Sequence, residues 1–204
     1  MHPPEHPAAL ITGPLADESW RRLISSANDR THPMHLMVMA TSGLDGRPAA
    51  RVMTVRGASR EFNKLWFHTD RRSPKAADLR ANPHVSLVAF DPRDGVELRL
   101  SGRAELLESG PEADRHWLQA TMIIRHLYAS PTAPGEPLPP PDPELSRPHE
   151  SMSEALTRRA RANFAVIEVT VDTIDWFQIL ETRSSRAILR AGSHWRTEYV
   201  STTT

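Results

Sequence analysis

The chain has 204 residues, of which 39% are hydrophobic, with 25 basic and 25 acidic side chains and no cysteine. This length fits one domain with a sizeable core. The net charge is zero, so the protein has no overall electrostatic field that would attract nucleic acid or an anionic membrane. The lack of cysteine excludes disulfides and Cys-ligated metals. The first twenty residues have neither a basic stretch nor a long apolar run, so we expect a cytoplasmic protein.

The N-terminal region divides into an arm and a helix. Residues 1–15 are rich in proline and histidine, which predicts an extended arm outside the core. From Ala16 onwards, apolar residues such as Trp20 and Leu23 recur at helical spacing. We therefore expect a single domain over residues 16–204 that opens with an amphipathic helix.

The middle third has the pattern of short strands. Asp45-Gly46 is typical of the tight turn in a hairpin. Residues 73–82 predict a short helix, with Ser73 as its N-cap and Pro74 in its first turn. The expected strands are short and rich in β-favouring residues, and they lie at 35–41, 49–55, 64–69, 85–90 and 96–104. This order predicts a five-stranded antiparallel meander with the helix inserted after its third strand.

A proline-rich segment interrupts the last third. Residues 130–148 predict a surface loop that covers a site or lies on a partner subunit, because each proline removes a backbone donor and fixes φ. Helices are expected at 113–124 and 151–161. Further strand-like runs lie at 164–171, 175–180, 186–190 and 194–198. Short strands joined by tight turns favour a mainly β fold, an antiparallel barrel that is closed or nearly closed, with flanking helices.

Two basic segments are candidates for binding an anion. Arg51 and Arg56 bracket a strand and, being five residues apart, emerge on opposite faces. Residues 68–75 combine a Ser at a helix start, a Thr hydroxyl and several cations, a set that suits a phosphate. Taken alone, Ser73 is more often an N-cap on a surface helix with solvated cations around it.

Other chemistries have little support in the sequence. The ten histidines are scattered without metal-ligand spacing, so we expect no metal site. No G-x-S-x-G motif indicates a serine hydrolase. Trp176, considered by itself, is more often a core aromatic than the wall of a cofactor site.

The order of five motifs carries more information than any one of them. These are R51-VMTV-R56, LWFHTDRRSPK at 65–75, LRANPHVSL at 79–87, ELRLSG at 97–102, and Asp175-Trp176 followed by Arg186. In this order they resemble the pyridoxamine 5'-phosphate oxidase-like family of FMN-binding split barrels. The resemblance covers residues 20–110 and, less closely, 160–197.

The resemblance implies a dimeric split β-barrel with FMN at the subunit interface. By this resemblance Arg51, Ser73 and Lys75 hold the FMN phosphate, and Arg56 and Thr69 lie along the ring and the ribityl chain. Trp176 and Arg186 would meet the flavin from across the dimer interface. The expected cofactor contacts also include Val52, Met53, Thr54, His68 and Glu97.

Several positions depart from the family pattern. Pro74 stands where the family commonly has an arginine, which removes one phosphate ligand, and Arg71 or Arg72 is expected to compensate. Glu97 replaces a glutamine, and a carboxylate that faced the flavin would disfavour the anionic reduced ring. True pyridoxamine phosphate oxidases carry an R-x-H pair where this chain has Thr182 and Ser184, so we do not expect oxidation of vitamin B6.

We therefore expect a homodimeric FMN-dependent oxidoreductase of this family that acts on an unknown small molecule, with NAD(P)H as a candidate electron donor. No catalytic residue is assigned, and no nucleic-acid or membrane partner is expected. One alternative is a pyridoxamine/pyridoxine 5'-phosphate oxidase with an altered site. An alternative of another class is a non-catalytic flavin carrier or sensor.

Overall fold

The computed structural model describes residues 14–137, 152–179 and 184–202. Most of the predicted arm and residues 138–148 of the proline-rich loop lie outside these ranges. Leu15, which we assigned to the arm, is instead buried at the start of the first helix and belongs to the folded domain. No helix within the described ranges is long and apolar enough to cross a bilayer.

Five α-helices are present in the described residues: α1 Leu15–Asn28, α2 Pro74–Ala81, α3 Pro111–Gln119, α4 Met122–His126 and α5 Glu154–Asn163. The prediction of one continuous helix over 113–124 is wrong. Ala120 leaves the helical region at φ −67° and ψ 130°, and the Thr121 hydroxyl then accepts a hydrogen bond from the Ile124 amide, which starts α4. Threonine is a good N-cap, so a second helix begins where the first could have continued.

Eight strands are described: β1 Leu36–Ser42, β2 Pro48–Ser59, β3 Lys64–Asp70, β4 His84–Asp91, β5 Val96–Leu107, β6 Phe164–Ile179, β7 Ser184–Arg190 and β8 Arg196–Tyr199. The two strands predicted at 164–171 and 175–180 are one strand, β6. Its register against β5 shifts between Gly102, opposite Val171, and Ser101, opposite Thr173. The extra residue, Asp172, is a bulge inside β6 rather than the end of a strand.

The strands form a closed six-stranded antiparallel barrel. Their order is β3-β2-β1-β4-β5-β6, and β3 pairs with β6 to close it, while β7 and β8 extend from β6. The first part of β6 pairs with β3 and its last part pairs with β7, with the bulge between them. The predicted barrel is therefore correct, but the meander is not. β4 lies against β1 instead of β3, because α2 carries the chain to β1 and β6 occupies the edge of β3.

Two apolar clusters hold the fold together. The larger fills the barrel and includes Phe67, Leu98 and Trp176. The smaller joins α3, α5 and the start of β6 through residues such as Trp117 and Phe164. Because β6 is covered on both sides here, its first six residues are all buried, which explains their nearly continuous apolar sequence.

Candidate functional site

The three predicted phosphate-binding side chains, Arg51, Ser73 and Lys75, lie near one another at the start of α2, and Thr69 lies beside them. We call these four residues the cradle. The Thr69 and Ser73 hydroxyl oxygens are 3.3 Å apart, and Lys75 Nζ lies 3.5 Å from Thr69 Oγ1. The turn between β3 and α2 brings the Thr69, Ser73 and Lys75 side chains together. The Ser73 amide donates to the Asp70 carbonyl at the end of β3, and Pro74 then opens the helix. The cradle thus combines two cations and two hydroxyls at a helix N-terminus.

The electrostatics of the cradle favour an anion. Burial lowers the pKa of Lys75, and the nearby Arg51 cation lowers it further, so the two positive charges repel each other. The Ser73 side chain makes no capping hydrogen bond to α2. The first amides of α2 therefore have no side-chain cap from Ser73, and the partial positive charge of a helix start adds to the attraction for a phosphate.

Thr41 and Asp78 support the cradle, and sequence reasoning missed both. Arg51 Nη1 donates to Thr41 Oγ1 at 2.8 Å, and Thr41 in turn donates to Asp78 Oδ2 at 2.8 Å. Asp78 also lies 3.5 Å from Arg51 Nη2. These contacts orient the guanidinium of Arg51. Nothing in the local sequence links Thr41 on β1 to Asp78 on α2.

The expected replacements for the missing family arginine are engaged elsewhere. Arg71 forms an ion pair with Glu108 at 2.7 Å. Arg72 binds both carboxylate oxygens of Asp70, and it also donates to backbone carbonyls at the start of the proline-rich loop, including that of Ser130 at 3.1 Å. Both arginines are therefore already paired with carboxylates, which disfavours the expected compensation for Pro74.

Several other predicted contacts lie on the outer face of β2 and β3. Val52 is 62% exposed, and Thr54 and Arg56 follow it on the same face of β2. His68 lies on the corresponding face of β3. Met53, between Val52 and Thr54 on β2, faces the opposite side and is buried in the barrel. Arg51 and Arg56 are thus on opposite faces, as the spacing predicts.

Glu97 and Arg186 belong to one group of charged side chains on the outer side of β5, β6 and β7 and are linked through Arg99 and Asp175. Glu97 forms an ion pair with Arg99, which lies 3.9 Å from Asp175. Arg186 binds Asp175 through two hydrogen bonds of 2.9 and 2.7 Å. Two acids and two bases therefore neutralise one another in this group, and Glu97 is not an isolated negative charge.

Trp176 and Arg186 are not brought together. Trp176 is 2% exposed inside the barrel, opposite Leu98, and its Nε1 has no hydrogen-bond partner among the described residues. The next residue, Phe177, is partly exposed on the outer face and is directly opposite both Glu97 and Arg186. Adjacent residues on a strand face opposite sides, so Phe177 is the aromatic ring that accompanies Arg186.

Comparison with known proteins identifies the chain's relatives. The family model for pyridoxamine 5'-phosphate oxidase matches residues 28–176, which include the cradle. The chain belongs to this family. A pyridoxine/pyridoxamine 5'-phosphate oxidase of Myxococcus xanthus is 27% identical over 189 residues, covering 79% of each chain. Pyridoxine/pyridoxamine 5'-phosphate oxidase 2 of Arabidopsis thaliana is 28% identical over 128 residues, which are 58% of this chain and 64% of that protein. The match to the pyridoxine/pyridoxamine 5'-phosphate oxidase of Chromobacterium violaceum covers 31% of that protein. The chain thus spans less than two thirds of these last two relatives.

Two solved structures share the fold. A pyridoxamine 5'-phosphate oxidase-related, FMN-binding protein from Nostoc punctiforme superposes with a TM-score of 0.74 at 18% identity, covering 94% of this chain and all of that one. PhzG from Burkholderia lata, solved with tetrahydrophenazine-1-carboxylic acid, superposes with a TM-score of 0.69 at 18% identity, covering 93% and 97% of the two chains. At these identities the likeness establishes the barrel and not the ligand.

The departures from the family pattern lie at the edges of the site. Ser184, in one of the R-x-H positions, is exposed at the first residue of β7. Thr182, in the other, lies outside the described residues. Pro74 is exposed in the first turn of α2, beside the cradle.

The partly buried His68 should make the protein sensitive to acid. Burial, together with the smaller effects of His116 and the Arg56 cation, lowers the pKa of His68 from 6.5 to about 3. Below its ordinary pKa the unfolded chain binds a proton at this residue that the folded chain does not, so the free energy of unfolding falls as the pH drops from 6.5 towards 3. The contribution of His68 is about 2 kcal/mol between pH 6.5 and about pH 5.

His68→Phe tests this expectation by urea unfolding at the two pH values. Phenylalanine keeps a ring beside Phe164, whose centroid is 4.9 Å from that of His68. The variant should lose less stability on acidification than the native protein, whereas His194→Phe, at an exposed position, should behave as the native protein does. The same pH dependence in all three proteins would contradict the burial of an uncharged imidazole at position 68.

Proposed function

We propose that this chain is an FMN-dependent oxidoreductase that works as a homodimer on a small molecule. The observation that carries the proposal is the cradle, where the Arg51 and Lys75 cations meet two hydroxyls at the start of α2. A terminal phosphate monoester matches this donor set, since the two cations neutralise its charge and the hydroxyls of Thr69 and Ser73 supply hydrogen bonds. The sequence contains no dinucleotide-binding fingerprint, which favours FMN over FAD.

The roles of this chain's residues are binding and orientation. FMN, when bound, supplies the transfer of hydride or electrons, which protein side chains cannot perform alone. Thr41 and Asp78 hold the Arg51 guanidinium in place for the phosphate. The balanced group of Glu97, Arg99, Asp175 and Arg186 adds little net charge near the flavin. Proton transfer is not assigned to any side chain.

An apolar surface supports the dimer. Five large side chains are between 36% and 62% exposed on the adjacent strands β2, β1 and β4, and we call Leu36, Val38, Val52, Val88 and Phe90 the apolar stripe. Val38 is directly opposite both Val52 and Val88, so the stripe is continuous across three strands. Contiguous exposed apolar surface marks an interaction site. We propose that a second copy covers the stripe and that FMN lies between the two copies.

Val38→Asp tests the assembly and cofactor retention together, because Val38 is on the middle strand of the stripe and is not an expected FMN contact. A carboxylate in the centre of the stripe would have to be buried without a partner, so we expect a monomer that does not retain FMN. Light scattering coupled to flavin absorbance measures both properties. Leu44→Asp is the matched control, because Leu44 is 70% exposed in the β1–β2 turn away from the stripe. A native monomer that still holds one FMN per chain would contradict the proposal.

The principal alternative is a true pyridoxamine/pyridoxine 5'-phosphate oxidase. We expect no such activity, because Thr182 and Ser184 provide no charge for the substrate phosphate where the family has an arginine and a histidine. The FMN-loaded protein is mixed with pyridoxamine 5'-phosphate in air, and pyridoxal 5'-phosphate and peroxide are measured. Turnover at about 1 per second or faster, within the usual enzyme range, would establish the alternative.

The second alternative, a flavin carrier or sensor, differs from an enzyme in its response to a donor. Under anaerobic conditions, NAD(P)H should bleach the flavin absorbance of an oxidoreductase that accepts this donor. A carrier would keep its absorbance while still binding FMN.

A further inference from the structure

The described part of the proline-rich loop contains a tight turn over residues 133–136, which we call the loop turn. The Glu136 amide donates to the Ala133 carbonyl at 3.2 Å, and Gly135 has a φ of +93°. A proline in the second position and a glycine of positive φ in the third are typical of a type II turn. The sequence Ala-Pro-Gly-Glu therefore determines this shape locally.

The loop turn lies against the first residue of α2, beside the cradle. A Cβ atom added to Gly135 would lie 3.8 Å from Cγ of Pro74. Pro74 stands between the cradle residues Ser73 and Lys75 in the first turn of the helix. The loop turn is thus next to the helix end at which we propose that the phosphate binds.

Arg72 holds this part of the loop in place. Its guanidinium donates to three consecutive backbone carbonyls, those of Ser130, Pro131 and Thr132, at 3.1, 3.1 and 3.5 Å. The same guanidinium donates to both carboxylate oxygens of Asp70, at 3.0 and 2.7 Å. Because Asp70 is the last residue of β3, Arg72 ties the loop to the strand end next to the cradle.

The charges around the loop turn oppose a second phosphate. Hydrogen bonds with Asp70 raise the pKa of Arg72, and the Glu136 carboxylate in the loop turn raises it further. Arg72 is already paired with Asp70, and Arg71 is paired with Glu108. A second phosphate at this position would therefore meet a carboxylate and two cations that are already neutralised, so its desolvation would be poorly compensated.

FMN and FAD differ only beyond the phosphate that the cradle would bind. In FMN this phosphate is a monoester and ends the cofactor, whereas in FAD it continues into a second phosphate and an adenosine. An extension past the start of α2 would meet the loop turn. FAD would have to displace the turn and break the hydrogen bonds that Arg72 makes to the loop carbonyls.

We propose that Arg72 and the loop turn select the cofactor of this protein: they admit a flavin that ends in a phosphate monoester and exclude FAD. This rests on the flavin function proposed above and gives its cofactor choice a structural cause. Arg72, which the sequence suggested as a phosphate ligand, is instead a positioning residue, because it acts through the loop.

Equilibrium dialysis of the apoprotein against riboflavin, FMN and FAD tests the proposal. The preference for FMN over riboflavin measures the contribution of the cradle, since riboflavin has no phosphate. The preference for FMN over FAD measures the contribution of the loop turn. We expect the native protein to bind FMN about 100-fold more tightly than FAD, or better.

Arg72→Ala should reduce the preference for FMN over FAD by about 10-fold or more, because the loop loses its anchor. Removal of a positive charge would by itself weaken the binding of both anionic cofactors, so a change in their ratio identifies the loop. Arg71→Ala is the matched control. It removes a cation from the same segment, one that pairs with Glu108, and should keep the native ratio.

Gly135→Val tests the loop turn without changing any charge. Valine strongly disfavours a φ of +93°, so the turn should open. The preference for FMN over FAD should fall by about 10-fold or more, while the preference for FMN over riboflavin should stay unchanged. Gly46→Val is the control, because Gly46 has a φ of +78° in the β1–β2 turn and a Cβ there would meet no atom of the described residues within 4 Å. It should change neither preference.

Equal affinity of the native protein for FMN and FAD would overturn the proposal. So would an unchanged ratio in either variant, Arg72→Ala or Gly135→Val, that keeps the native circular dichroism spectrum. In both cases, tight FMN binding by the native protein would leave the flavin function standing. A native protein that binds none of the three flavins would reject the flavin function and the cofactor selection with it.

Discussion

Replacing Lys75 with alanine should lower the affinity for FMN by about 10- to 100-fold. The lysine is one of only two cations in the cradle, and its partly buried ammonium would form a charge-assisted hydrogen bond with the phosphate. Such bonds contribute about 1.5–3 kcal/mol. Because Arg71 and Arg72 are held by Glu108 and Asp70, neither can take over this contact. Equilibrium titration of the apoprotein with FMN, followed by quenching of flavin fluorescence, measures the effect.

Lys64→Ala is the matched control for this substitution. Lys64 forms an ion pair with Glu168 on the other side of β3, so its loss can lower stability without removing a cradle cation. We expect its FMN affinity to equal that of the native protein. If Lys75→Ala also binds FMN as the native protein does, the cradle is not the phosphate site.

Gly102→Ala should destabilise the fold by about 3 kcal/mol or more. A Cβ atom at this position would lie 2.2 Å from the Thr170 carbonyl oxygen and 3.1 Å from Val171 Cα. Both neighbours are backbone atoms of β6 at the bulge, where the strand passes from its pairing with β3 to its pairing with β7. They cannot move away without breaking the register on which barrel closure depends.

Chemical denaturation of Gly102→Ala against Gly192→Ala isolates this steric effect. At Gly192 the nearest atom to an added Cβ is the His194 carbonyl oxygen at 3.4 Å, so we expect a change within about 0.5 kcal/mol. Comparable stability in the two variants would mean that β5 and β6 do not approach as closely as described.

Local sequence was sufficient for much of the cradle. Thr69, Ser73 and Lys75 lie within one strand, turn and helix start, so a segment of seven residues determines their arrangement. The alternation of apolar residues likewise predicts the strands and the barrel class. The loop that begins at Ser130 was also predicted from composition, and its described part is attached to the core by Arg72.

Contacts between distant segments needed the tertiary structure. His68 and His116 are 48 residues apart and meet only because α3 packs on the outside of the barrel. The choice between Trp176 and Phe177 as the exposed ring depends on the register of β6, in which a shift of one residue reverses the faces.

The sequence by itself therefore determined the short-range features: the strands, the helix start at Ser73 and the grouping of the cradle residues Thr69, Ser73 and Lys75. These depend on backbone preferences and side-chain periodicity over a few residues. Only the tertiary structure decided that β4 pairs with β1, that Asp172 is a bulge in one long strand, and that Arg56 and His68 line a cleft. Strand pairing and cleft formation depend on which apolar faces cover one another across the whole chain, and local patterns do not specify that choice.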